Sequence, residues 1–110
     1  MASNLVYLTE ANFEAEVVRS KEPVIIDFYA DWCGPCKMLE PVFEALSIEY
    51  AGRLKFAKVN TDQDRALAQS FNIRGIPVLS VVRGSKEIGR IVGYAAKEDL
   101  RYRINELLKA

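Results

Sequence analysis

The chain has 110 residues, half of them hydrophobic, which suits one domain over residues 1–110 with a single core. Lys plus Arg and Asp plus Glu each number 15, so the formal net charge is zero, which argues against a nucleic-acid or anionic-membrane surface. There are two cysteines and no histidine, which removes Cys–His and Ser–His catalysis and His-based metal sites together.

Met1-Ala2-Ser3-Asn4-Leu5 has no basic segment leading into an apolar run, so no secretory signal is visible. No stretch approaches the ~20 apolar residues of a membrane span. Leu5-Val6-Tyr7-Leu8 reads as a short first strand. Thr9 is a candidate N-cap for a helix carrying Phe13, Val17 and Val18. After the break at Glu22-Pro23, Val24 to Ala30 is a nearly unbroken apolar run, rich in β-branched and aromatic residues, and suits a strand buried on both faces.

A long helix is predicted from about Cys33 to Tyr50, because Cys36, Leu39, Phe43, Leu46 and Tyr50 recur at steps of three and four. Pro41 lies inside it. Either it kinks one helix or it opens a second one at the first helical position. Leu54 to Asn60 reads as a third strand, and Thr61 to Asp64 offers caps for a short helix ending near Phe71. Val78 to Val82 and Glu87 to Val92 read as two strands joined by Gly84-Ser85, a type II′ hairpin turn with glycine first. Lys97 to Leu108 is the last helix, with Leu100, Ile104, Leu107 and Leu108 inward and no clear cap unless Asp99 supplies one. The order β-α-β-α-β-α-β-β-α predicts an α/β fold with helices on both faces of a mixed sheet.

The chemistry concentrates in Trp32-Cys33-Gly34-Pro35-Cys36-Lys37, between a buried strand and a helix, where α/β sheets place their sites. Two thiols separated by two residues on a helix's first turn can close a small disulfide. Cys33 at the helix N-terminus is placed to ionise, because unpaired N–H groups and the dipole favour a thiolate. Cys36, one turn further on the apolar face, is favoured as the neutral thiol. Cys33 is then the nucleophile toward a substrate disulfide, and Cys36 resolves the mixed disulfide. Pro35 suits the first helical turn. Zinc binding would need two further ligands from a chain without other cysteines or any histidine. A purely structural disulfide in so small a ring would contribute only about 2 kcal/mol. Two unrelated core cysteines sit badly beside Trp32 and Gly34-Pro35.

Asp27 lies mid-strand where no wet face is expected, so its carboxyl should be costly to ionise. It is ~10 Å back from the strand end, while Cys36 has descended ~4–5 Å along the returning helix. Two compatible readings stay open: Asp27 takes the proton of Cys36, directly or through a water, and it pairs with a cation such as Lys58 on the next strand, which alone would be the plain structural reading. For Ile76-Pro77, simple strand initiation is the plain reading, and the sequence itself does not support a cis bond.

The chain resembles the thioredoxin family over nearly its whole length. The resemblance is carried by Asp27-Phe28, Ala30, Trp32-Cys33-Gly34-Pro35-Cys36-Lys37, Pro41, Ala57-Lys58 with Asn60 and Asp62, Gly75-Ile76-Pro77 and Gly93. It implies a five-stranded mixed sheet flanked by four helices, and a cis Ile76-Pro77 packed beside the dithiol. It implies a substrate groove formed by Trp32, Gly34, Pro35, Ile76, Pro77 and Gly93, with Asp27 and nearby Lys58 assisting proton transfer at Cys36. It further implies a protein-disulfide reductase without cofactor or metal, served by a thioredoxin reductase, monomeric and cytoplasmic. Four positions depart from the common pattern: Tyr29 where Trp is frequent, Val78 where Thr is usual, Gly84-Ser85 for Asn-Gly, and Tyr94 where a small residue is common beside the groove.

Overall fold

The computed structural model describes residues 5–109. Residues 1–4, read above for a secretory signal, lie outside the described residues, as does residue 110. Strands β1 (Leu5–Tyr7), β2 (Val24–Tyr29), β3 (Lys55–Asn60), β4 (Val78–Arg83) and β5 (Lys86–Val92) form one sheet in the order β1-β3-β2-β4-β5. β1, β3 and β2 run parallel, while β4 and β5 are antiparallel to their neighbours. Helices α1 (Gly34–Glu49), α2 (Arg65–Ser70) and α3 (Lys97–Leu108) complete the architecture, together with a π-helical segment at Glu14–Val18. The mixed five-stranded sheet and the element order agree with the sequence reading.

The period-2 alternation of β2 sorts its side chains into two cores. Ile25 packs with Leu39, Phe43 and Leu46 of α1 and Leu100 and Ile104 of α3. Val24, Ile26 and Phe28 pack on the opposite face with Val17 and with Leu67 and Ala68 of α2. Asp27 shares the parity of Ile25 and so faces α1. α1 and α3 are further joined by Arg101, which pairs with Glu49 at 3.0 Å, and by the buried Tyr50 just after α1, whose hydroxyl donates to Asn105 Oδ1 at 2.6 Å.

Three local expectations are corrected or decided. The first helical segment is not an α-helix capped by Thr9. The Asn12 side chain takes up that turn, accepting from the Thr9 N–H at 2.8 Å and donating to the Tyr7 carbonyl at 3.0 Å. The chain then widens into a π turn, closed by Arg19 N–H to the Glu14 carbonyl at 3.0 Å. α1 runs as one helix through Pro41, because its buried face of Leu39, Phe43 and Leu46 secures it on both sides of the proline, whose cost is about 3 kcal/mol. α3 starts at Lys97 with no side-chain cap, and Asp99 serves instead in the first turn beside Glu98, where acidic groups complement the helix dipole. Gly84 opens the hairpin turn at φ 65°, between the paired Arg83 and Lys86. That conformation is nearly free only for glycine.

Candidate active site

Cys33 caps α1. Its backbone is extended (φ −89°, ψ 111°), and its sulfur accepts from the Cys36 N–H at 3.2 Å. Pro35 falls in the first helical turn, where its missing N–H costs nothing. This compact entry brings the two cysteines to disulfide-bonding distance, with Cα atoms 5.2 Å apart.

The two sulfurs differ in bonding rather than in exposure. Cys33 is 4% exposed and Cys36 5%, so in the disulfide form neither residue stands open. Only the Cys33 sulfur receives a backbone N–H at the positive end of the helix, which is the interaction that stabilises an anion there. It also lies 3.9 Å from the Ile76 carbonyl.

Residues far apart in sequence converge around the pair. Cys33, Cys36 and Ala30 form a small buried cluster with Tyr29 and Ile76 packed against it. The Ile76-Pro77 bond is cis, and the Pro77 carbonyl accepts from Gly93 N–H at 2.8 Å. Gly93 holds φ 89°, a conformation strained for other residues, so this closure favours glycine. Pro77 is buried, while Gly34 and Pro35 are exposed. Trp32 is 71% exposed and is steadied by its ring N–H donating to Asp62 Oδ2 at 2.8 Å. Trp32 and Ile76 line a groove of about 360 Å³, with Arg65, Arg74 and Gly75 among its other walls. Tyr94 is exposed directly after Gly93.

Behind the dithiol lies a charged cluster. Asp27 and Lys58 are register partners across β2 and β3, both buried. No ion pair of 4.0 Å or less joins them among the described residues. The Lys58 ammonium instead lies 3.4 Å from Glu40 Oε2 and 4.3 Å over the Tyr29 ring. Among the described residues, Asp27 Oδ1 has no hydrogen-bond partner. Burial pushes the Asp27 carboxyl up from 3.8 to about 7, partly opposed by the Lys58 charge and reinforced by that of Glu40. Simple pairing of Asp27 with Lys58, one of the two readings left open by the sequence, is thus not what the cluster adopts. Glu40 escaped the sequence reading, although a charge four residues after Cys36 necessarily shares its helix face.

Among the described residues, no group of three or more His, Cys, Asp or Glu is arranged to hold a metal ion. No described helix is long and apolar enough to cross a membrane.

Comparison with known proteins bears directly on this arrangement. A sequence model of the Thioredoxin family matches residues 4–106. A thioredoxin of Thiocapsa roseopersicina is 48% identical over 86 residues, covering 78% of this chain and 94% of that protein. A thioredoxin of Allochromatium vinosum is 42% identical, covering 90% and 92%, and one of Haemophilus influenzae is 38% identical, covering 94% and 97%.

Proposed function

This chain belongs to the thioredoxin family, and on that premise we propose how its residues divide the work of a thioredoxin-type dithiol–disulfide oxidoreductase. The observation that carries the proposal is the N–H of Cys36 directed at the sulfur of Cys33.

In the reduced protein Cys33 is the thiolate. It attacks one sulfur of a substrate disulfide, forms a mixed disulfide and expels the other substrate sulfur, which takes up a proton. Asp27, ionised, accepts the thiol proton of Cys36 directly or through a water. Its unpaired Oδ1 and its carboxyl at about 7 suit a base that works at neutral pH. The Cys36 thiolate then attacks the Cys33 sulfur, closing the protein's own disulfide and releasing the second substrate sulfur as a thiolate, which takes up a proton from Asp27 or water and leaves Asp27 ionised again. Two electrons pass to the substrate, and two thiols leave. Lys58 assists by balancing charge around Asp27.

The substrate lies along Trp32, Gly34, Pro35, Ile76, Pro77 and Gly93, with an extended segment pairing to backbone around Ile76. Residues 1–110 act as a single domain and a monomer. A thioredoxin reductase renews the dithiol, and the protein carries electrons to protein disulfides in the cytoplasm, where thiols are kept reduced. Neither a metal nor a cofactor takes part.

The direction of the reaction follows from what surrounds Cys33. Extra stabilisation of its thiolate would favour the reduced form and make the bridge an oxidant. The chain has no histidine to add to it, and the hydrogen bond that the Cys33 sulfur receives is from the helix N-terminus. Equilibrating the protein with glutathione is expected to leave the bridge largely oxidised at millimolar reduced glutathione. A bridge reduced readily by glutathione would assign the protein to oxidation or isomerisation instead.

A further inference from the structure

We propose that Glu40 is a positioning residue: it draws the Lys58 ammonium off Asp27 and so sets the pH at which Asp27 takes up a proton. This deepens the reading of Asp27 as the base for Cys36 and rests on it for its catalytic consequence.

The geometry is specific. Asp27 and Lys58 face each other across β2 and β3 on the side covered by α1. Opposite charges brought to register on neighbouring strands attract each other. Here the ammonium sits 3.4 Å from Glu40 Oε2, and Asp27 Oδ1 is left without a hydrogen-bond partner among the described residues. Lys58 is 3% exposed and Glu40 60%, so the pair spans the boundary between core and solvent. An ammonium held at that boundary escapes part of the desolvation that a fully buried pair with Asp27 would impose. The Tyr29 ring, 4.3 Å from Nζ, cushions it in that place, with the Tyr7 ring on β1 at 5.8 Å.

Glu40 also adjoins the thiol that Asp27 serves. It follows Cys36 by one helical turn, and Cys36, Glu40 and Lys58 line one cavity of about 220 Å³. Lys37 and Asp31 stand at the wall of the same cavity. Among the described residues, Lys58 and Glu40 are the charges that act on Asp27; its β4 partner is Leu79, and α3 buries Leu100 and Ile104 on this side of the sheet. One cation is therefore shared between two carboxylates. Glu40 acts on Asp27 twice, by its own negative charge and by diverting the positive one.

The test is an NMR titration of the Asp27 carboxyl carbon in the oxidised full chain, comparing wild type, Glu40→Gln and Glu44→Gln. Glu40 is a solvent-facing helix residue and glutamine is a comparable helix former, so the fold is kept. Glu44→Gln removes a like charge one turn further along α1. Glu40→Gln is expected to lower the Asp27 midpoint by about 0.5–1 pH unit, while Glu44→Gln leaves it near wild type and Glu40→Asp falls between Glu40→Gln and wild type. An unchanged midpoint in Glu40→Gln, or an equal shift in Glu44→Gln, would overturn the proposal. The pH profile of substrate release should move the same way. If the midpoint moves and the release rate ignores it, Glu40 still governs Asp27, and the base role of Asp27 is what fails.

Discussion

Replacing Cys36 with serine is expected to turn the protein from a turnover reductase into a trap, with one substrate sulfur held on Cys33 as a stable mixed disulfide. The N–H that supports the Cys33 sulfur belongs to the backbone of residue 36 and survives the substitution. The first attack therefore proceeds, and only the second, which needs a thiol at position 36, is lost. Cys33→Ser behaves differently. A serine hydroxyl does not ionise near neutral pH and cannot exchange with a disulfide, so both the mixed disulfide and all turnover vanish to the uncatalysed background. Insulin reduction, read by precipitation, measures turnover. Mass spectrometry of the quenched reaction counts the mixed disulfide. Wild-type turnover by Cys36→Ser, or a mixed disulfide on Cys36 in Cys33→Ser as abundant as the reverse, would exchange or abolish the assigned roles.

The second large effect concerns Asp27. Its carboxyl titrates at about 7 in the folded chain, against 3.8 for an unhindered carboxyl. Between those values the folded protein holds a proton that the unfolded chain releases. Stability therefore falls as pH rises from about 4 to about 7, and the accumulated loss is of order 4 kcal/mol if no other group compensates. Asp27→Asn, which imitates the protonated acid, is expected to match wild type near pH 4 and to exceed it by up to that amount above pH 7. The same variant is expected to slow substrate release by of order 10²-fold at neutral pH, the low end of what a positioned base contributes. Urea unfolding from pH 4 to 8.5 and single-turnover kinetics read the two effects separately. Parallel stability curves would show that burial does not raise the Asp27 carboxyl. An unchanged release rate would remove Asp27 from the proton transfer.

These opposed effects express one cause. A carboxyl in an apolar strand costs stability whenever it is charged, and the same cost makes it a useful proton acceptor near neutrality. Val24, Ile25, Ile26 and Phe28 around it are fully buried, so the sequence position that looked misplaced is what gives the acid its basicity.

Much of the fold could be read from the chain because periodicity and packing agree. Cys36, Leu39, Phe43 and Leu46 lie on one helical stripe and are all buried. The Gly84-Ser85 turn follows from the need for a positive φ at its first position. The π turn at Glu14–Val18 was hidden, because it depends on how the Asn12 side chain fills the preceding turn, a choice that the apolar spacing does not encode. The continuity of α1 through Pro41 was undecided for a related reason: local propensity disfavours it, and tertiary burial overrides that preference.

The site divides along the same line. The dithiol and Asp27 were legible because each breaks an expectation locally, one by spacing and the other by polarity. The cis bond at Ile76-Pro77 came only through family resemblance, since neither neighbour specifies the isomer. For Lys58 the sequence suggests only Asp27 as a partner, and Glu40 is not visible as one. Strand register brings Lys58 to Asp27, and only the three-dimensional course of α1 brings Glu40 to Lys58. The equal burial of Cys33 and Cys36 likewise replaced an expected contrast in exposure with a contrast in hydrogen bonding.

The central claim is that the helix start holds Cys33 as a thiolate while Cys36 keeps its proton. Alkylation of the reduced protein by iodoacetamide from pH 5 to 10, with the modified cysteine located by mass spectrometry, tests it most directly. Cys33 is expected to react first, with a midpoint below the ordinary thiol value of about 8.5, and Cys36 to resist until well above it. Equal rates at both sulfurs across that range, or earlier reaction at Cys36, would contradict it.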